Sequence, residues 1–189
     1  MFDKKFFFKE IFEYVKKKKE IPPVDLHVHT SWTDGRNTVD EMSETAIKLK
    51  LTNILFSEHS RKESKDWFNK FSNQVKSANI KFGKECNFLI GTEVKILNKK
   101  GELDLSDKIK KECDLIMASV HRFPGEEGSI INNQGKFSKE EALVLEYELM
   151  LAAIENSDAD IIGHPFGMTL KRFNSEPPWE LFLKIIMQL

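Results

Sequence analysis

Apolar and polar positions alternate in blocks along this chain of 189 residues. After Pro22 and Pro23, the stretch VDLHVH has the two-residue period of a strand. TVDEMSETAIKLKL, opened by Thr38, repeats its apolar positions at helical spacing. NILFSEH then reads as a strand, KDWFNKFSNQVKSANIKF as a helix and NFLIGTEVKIL as a strand. The polar stretch NKKGELDLSDKIKKEC predicts a turn, a short strand and a helical turn. DLIMASVH, SKEEALVLEYELMLAAIENS, ADIIGHP and PPWELFLKIIMQL follow as strand, long helix, strand and the start of a helix. Strands alternating with helices of this length predict an α/β protein with a parallel sheet, open or closed into a barrel. No repeat or low-complexity linker divides the chain, so one domain is expected over residues 24–189.

Residues 1–23 stand apart from this alternation. The segment is basic and aromatic, but Lys9, Glu10 and Glu13 break any signal-peptide core. An amphipathic helix ended by Pro22 and Pro23 fits it better, and packing on the following domain is favoured over contact with a membrane surface.

Composition narrows the classes. Apolar content of 40% with 31% charged residues suits a folded globular protein, and a net charge of −1 gives no general attraction to nucleic acid or anionic lipid. No apolar run approaches the roughly 18 residues needed to cross a bilayer. Cys86 and Cys113 match no metal or redox spacing, so reduced thiols and a cytoplasmic location are expected.

The chemistry sits at the ends of the expected strands. His27 and His29 end the first, His59 the second, His121 the fourth and His164 the fifth, while Glu93 lies near the end of the third. The chain has no other histidine. One histidine beside apolar residues is ordinarily a hydrogen-bonded core residue. That reading does not explain five at successive strand ends, the face where parallel α/β folds build their sites. Imidazole with carboxylate suits zinc, manganese or iron.

Arginine offers a second signal. Of 29 basic residues only Arg36, Arg61, Arg122 and Arg172 are arginine, each close to a histidine motif. Where lysine is the default, the planar guanidinium fork marks candidate phosphate contacts, foremost Arg122 and Arg172.

In order, DLHVHTSWTDG, FSEHS, GTEV, ASVH and IIGHP resemble the successive motifs of the PHP family, named for polymerase and histidinol phosphatase. GTEVKILNKKGELDL and AAIENSDADIIGHPFG are similar to PHP domains of bacterial family X DNA polymerases, and stand-alone histidinol-phosphatase-like members share the skeleton. The resemblance implies a distorted, TIM-like barrel of seven βα units holding two or three divalent ions that hydrolyse phosphoesters. It implies metal ligation by His27, His29, Asp34, His59, Glu93, His121 and His164, with Glu93 bridging two ions and Glu58 beside His59 as the acidic partner. Asp25 is a candidate to orient an imidazole. His121 and Asp34 are the candidates to pass a proton to the leaving group, and Arg122 and Arg172 to grip the phosphate. The substrate is expected to be a small phosphate monoester, with 3′-5′ trimming of a nucleic-acid end as the alternative. A metal-stabilised scaffold without turnover is a further alternative. So is an amidohydrolase-like barrel, for which Lys95, on the strand face of Glu93, would be the bridging residue.

One departure stands out. The family's late Asp-x-His pair does not follow His164, and the expected last helix is reached after about five βα units. A fragment with weak or no activity, its barrel unclosed, is the expectation this raises.

Overall fold

The structure, a computed structural model, describes residues 2–128, 131–133 and 135–188. Its elements are α1 (Lys4–Lys18), β1 (Val24–Val28), α2 (Val39–Lys48), β2 (Asn53–His59), α3 (Lys65–Phe82), β3 (Asn87–Lys95), α4 (Asp107–Glu112) and β4 (Leu115–Ser119). A short 3₁₀ turn at Ile131–Asn133 precedes α5 (Lys139–Asn156), β5 (Ile161–Ile162), α6 (Gly167–Phe173) and α7 (Trp179–Ile186). The strands order as β1-β2-β3-β4-β5, with β1 parallel to β2 and β4 parallel to β5. Neighbours in space are neighbours in sequence, the succession that βα units of a TIM-like barrel lay down. The fold is α/β, as the alternating pattern predicts.

Helix starts follow local chemistry. Thr38 and Ser138 each close a capping box, with Glu41 and Glu141 reaching back to the cap N–H. Asp3 accepts from the Phe6 N–H at 3.0 Å and starts α1.

Two compact units divide the chain. The first comprises residues 1–92 and 106–115, the second residues 93–105 and 116–189. The first unit buries Val28, Leu55, Phe56, Phe68, Phe71, Val75 and Phe88, with the rings of Phe68 and Phe71 meeting edge to face at 5.3 Å. The second buries Ile96, Ala118, Val120, Phe123, Leu149, Met150, Phe166 and Ile185 in one cluster.

Several elements differ from the periodicity: β1 ends at Val28, β3 ends at Lys95, and the short strand expected after β3 is reduced to a single bridge between Ile96 and Leu103. β4 stops at Ser119, so His121 stands two residues beyond it. β5 holds only Ile161 and Ile162, because His164 at φ 28° leaves the strand region of the backbone and Pro165 has no N–H for a ladder. α6 has no counterpart in the sequence reading; its first turn is stabilised from outside by Glu146 of α5, whose carboxylate accepts from the Met168 and Thr169 N–H groups at 2.9 and 2.8 Å. Burial pushes the Glu146 carboxyl up, against the pull of those donors.

Candidate metal centre

In the first unit the end of β1 and the loop after it carry His27, His29 and Asp34, and His59 ends β2. The His29 ring stacks on the His59 ring at 4.4 Å and lies 5.0 Å from the His27 ring. Asp34 stands between two of these imidazoles, with one oxygen 3.7 Å from His29 Nδ1 and the other 3.4 Å from His59 Nε2. One ligand atom from each of His29, Asp34 and His59 lies within 4.8 Å of the others, a spacing that a single divalent ion can satisfy. Asp25 accepts from the His27 N–H at 3.2 Å, so it fixes the backbone there.

Glu58 takes a structural part. It is buried, and one oxygen accepts from the Thr30 N–H and hydroxyl at 2.7 and 2.6 Å while the other accepts from the Thr33 hydroxyl. Burial raises its pKa; the threonine donors oppose that rise. Its role is to pin the loop that presents Asp34, and Gly35 lets that loop close. A Cβ on Gly35 would sit 2.2 Å from the His29 carbonyl oxygen.

In the second unit three donors meet one oxygen. Glu93, 1% exposed, receives the Ser119 hydroxyl at 2.6 Å, His121 Nε2 at 3.0 Å and His164 Nε2 at 2.8 Å, all on Oε1. The hydrogen bond to Glu93 raises the His164 pKa, outweighing the opposing effect of burial. Two imidazole nitrogens from the loops after β4 and β5 and a carboxylate oxygen from β3 thus converge, and the donor set suits a divalent ion.

Sequence reasoning passed over Ser119. The available signal was its place two residues before His121, which puts a hydroxyl on the face of an otherwise apolar strand. Gly163 makes room for it: a Cβ there would lie 2.1 Å from Ser119 Oγ. Thr30 and Thr33 were missed likewise, since their part is played through Glu58.

The two arginines diverge. Arg122 is half-buried and has no ion pair among the described residues. Arg172 gives both terminal nitrogens to Glu126, at 2.7 and 2.5 Å, with both side chains almost wholly buried. Its guanidinium also lies 4.7 Å from the Phe123 ring centre. The fork expected to grip phosphate is occupied by a carboxylate.

An α/β fold with imidazole–carboxylate clusters where its strands end is a class of protein built to hold metal ions. The chain belongs to the PHP domain family, which matches residues 25–188. It is 28% identical over 162 residues to the DNA polymerase/3'-5' exonuclease PolX of Bacillus subtilis, covering 78% of this chain and 24% of that protein. It is 30% identical over 149 residues to a probable phosphatase of Clostridium acetobutylicum, covering 75% of this chain and 52% of that one. The chain therefore spans about half or less of the length of these curated relatives. Among solved structures, the histidinol phosphate phosphatase HisK of Lactococcus lactis, complexed with zinc, L-histidinol and phosphate, superposes with a TM-score of 0.65 at 17% identity. That likeness covers 87% of this chain and 66% of HisK and concerns the fold.

Proposed function

We propose that this chain is the core of a metal-dependent phosphoesterase acting on a small phosphate monoester. His27, His29, Asp34, His59, Glu93, His121 and His164 would hold the divalent ions. The observation that carries the reading is the His29–Asp34–His59 trio, whose ligand atoms all lie within 4.8 Å of one another. Membership of the PHP family supports extending that set to Glu93 and its two histidines.

A bound divalent ion would supply a water acidic enough to attack at neutral pH and offset charge on the phosphoryl oxygens. The chain's own groups do the rest. Glu93, oriented by the Ser119 hydroxyl, presents a fixed, buried carboxylate beside the partly exposed imidazoles of His121 and His164. Arg122 lies beside His121 and can pair with non-bridging phosphate oxygens. His121 or Asp34 delivers a proton to the departing alkoxide oxygen. Arg172 has no place in this scheme, because Glu126 holds it. Phosphatase-named relatives support the monoester, and the similarity to PolX favours a nucleic-acid end as the second reading.

The test is turnover of p-nitrophenyl phosphate by this chain with manganese, against the Glu93→Gln variant and a chelated sample. Slow, manganese-dependent release of nitrophenol that both controls abolish is expected. Metal binding without turnover would leave a scaffold; removal of nucleotides from a 3′-labelled oligonucleotide without monoester hydrolysis would reverse the choice of substrate.

A further inference from the structure

Helix α1 precedes the residues matched to the family, and none of its side chains enters the mechanism above. Its inward side is apolar, with Phe7 buried and Ile11 and Tyr14 half-buried. On the opposite side Lys5, Lys9, Phe12 and Lys16 recur at spacings of four, three and four, which places them in one line along the helix. All four are exposed, and the Phe12 ring is 64% exposed. Lys17, Lys18 and Lys19 continue the positive charge beyond them, so residues 2–20 hold seven lysines against four acids in a chain whose net charge is −1.

Helix stability does not account for this line. The macrodipole favours acids in the first turn and bases in the last. Lysines 16–18 obey that rule, but the first turn of α1 contains no acid and includes Lys5. Lys5 and Lys9 also repel each other across one turn. Among the described residues, the line's ion pair joins Lys16 to Glu13 at 3.3 Å, with both side chains largely in solvent, and such pairs contribute little. Four positions thus present charge and one open ring with no internal purpose.

We propose that this face of α1 docks a single-stranded nucleic acid, lysines to phosphates and Phe12 to a base. The twelve residues of helix from Lys5 to Lys16 extend about 16 Å, enough to pass several phosphates of a strand. An exposed ring among lysines matches the general design of single-strand binding, in which unpaired bases stack on aromatic side chains. A lipid surface fits less well. The broad apolar side of α1 is turned inward, and the other exposed ring, Phe6, at 58%, lies on the side of Glu10 and Glu13. The inference stands apart from the phosphatase reading, since it concerns binding alone.

The test is fluorescence anisotropy of a labelled 20-mer of thymidylate with the full chain at low and moderate salt, with phosphatidylserine vesicles as a parallel arm. Binding is expected to weaken with salt at a log–log slope of about −2, from roughly 0.7 per neutralised phosphate. K5Q/K9Q/K16Q should lose at least about tenfold in affinity and F12A several-fold, while K48Q/K70Q/K84Q, with the same charge change at exposed sites elsewhere, should lose less than twofold. Circular dichroism checks that each variant keeps its helices, and F12A tests the face without altering charge. No binding by the unmodified chain, equal losses in the two triple variants, an unchanged F12A, or binding to vesicles but not to the oligonucleotide would each overturn the proposal.

Discussion

At the scale of single residues, the candidate centre depends as much on hydroxyls as on ligands. Ser119 donates to Glu93 at 2.6 Å, on the same oxygen that both imidazoles reach. Replacing Ser119 with Ala removes a neutral donor that orients this carboxylate. Metal affinity is expected to fall about 10- to 100-fold, as for other residues that position a ligand, read by competition with a chromogenic chelator. The Arg172–Glu126 pair acts differently. Burial alone would raise the Glu126 pKa, but the Arg172 hydrogen bonds and charge, with the Phe123 N–H, hold it below the ordinary glutamate value. Because the folded value lies below the unfolded one, the unfolded chain takes up the proton first. The pair's stabilisation is therefore complete above the ordinary glutamate range and is lost as pH falls through the lowered value. Arg172→Met strands a buried carboxylate and should cost about 3–5 kcal/mol at neutral pH. Urea denaturation should show that gap close as the pH falls below the ordinary glutamate range. The clustering of the histidines with Asp34 and Glu93 was legible because candidate ligands come from few residue types. The Arg172–Glu126 pair was not, since 46 residues separate its members.

At the scale of elements, local signals and tertiary contacts separate cleanly. α3 matches its expected span of 65–82 and β2 its span of 53–59, because periodicity and turn residues coincide at their ends. α2 and α5 follow their capping boxes within a residue at the start. α6 shows the opposite case: its first turn owes its stability to Glu146, two of whose acceptor contacts come from N–H groups more than 20 residues away. No window of sequence contains that information. Glu146→Leu would leave the Met168 and Thr169 N–H groups buried without these acceptors, at a cost on the order of 1–3 kcal/mol for each group. Amide exchange should show α6 losing protection first, while α5 keeps its own. Equal protection of α6 in both proteins would mean that its own sequence suffices.

At the scale of the whole molecule, the donors in this reading are spread over strands β1 to β5 or the loops just after them. A ligand set of that breadth makes the ion a stabilising ligand of the folded chain, because the unfolded chain does not assemble the set. Saturation at 100 times the dissociation constant adds about 2.7 kcal/mol, so zinc or manganese should raise Tm and a chelator should lower it. Calcium, which prefers an all-oxygen shell, should do much less. A melting curve indifferent to all three ions would contradict ligation by these residues. Order along the chain made the α/β fold readable, because each strand pairs with the next in sequence. The division into two compact units was not readable, since its boundary falls inside β3, between Thr92 and Glu93.

The close approach of residue 163 to the serine hydroxyl makes one hydrogen atom matter. Gly163 lies between β5 and His164, and a methyl group there would meet Oγ at 2.1 Å. The smallest possible enlargement of the chain, Gly163→Ala, would push aside the prop beneath Glu93 while removing no charge, no ligand and no cap. The same methyl would also crowd Met117 Sδ at 2.9 Å in the buried core, so one added carbon would tie the orientation of that carboxylate to the packing of β4.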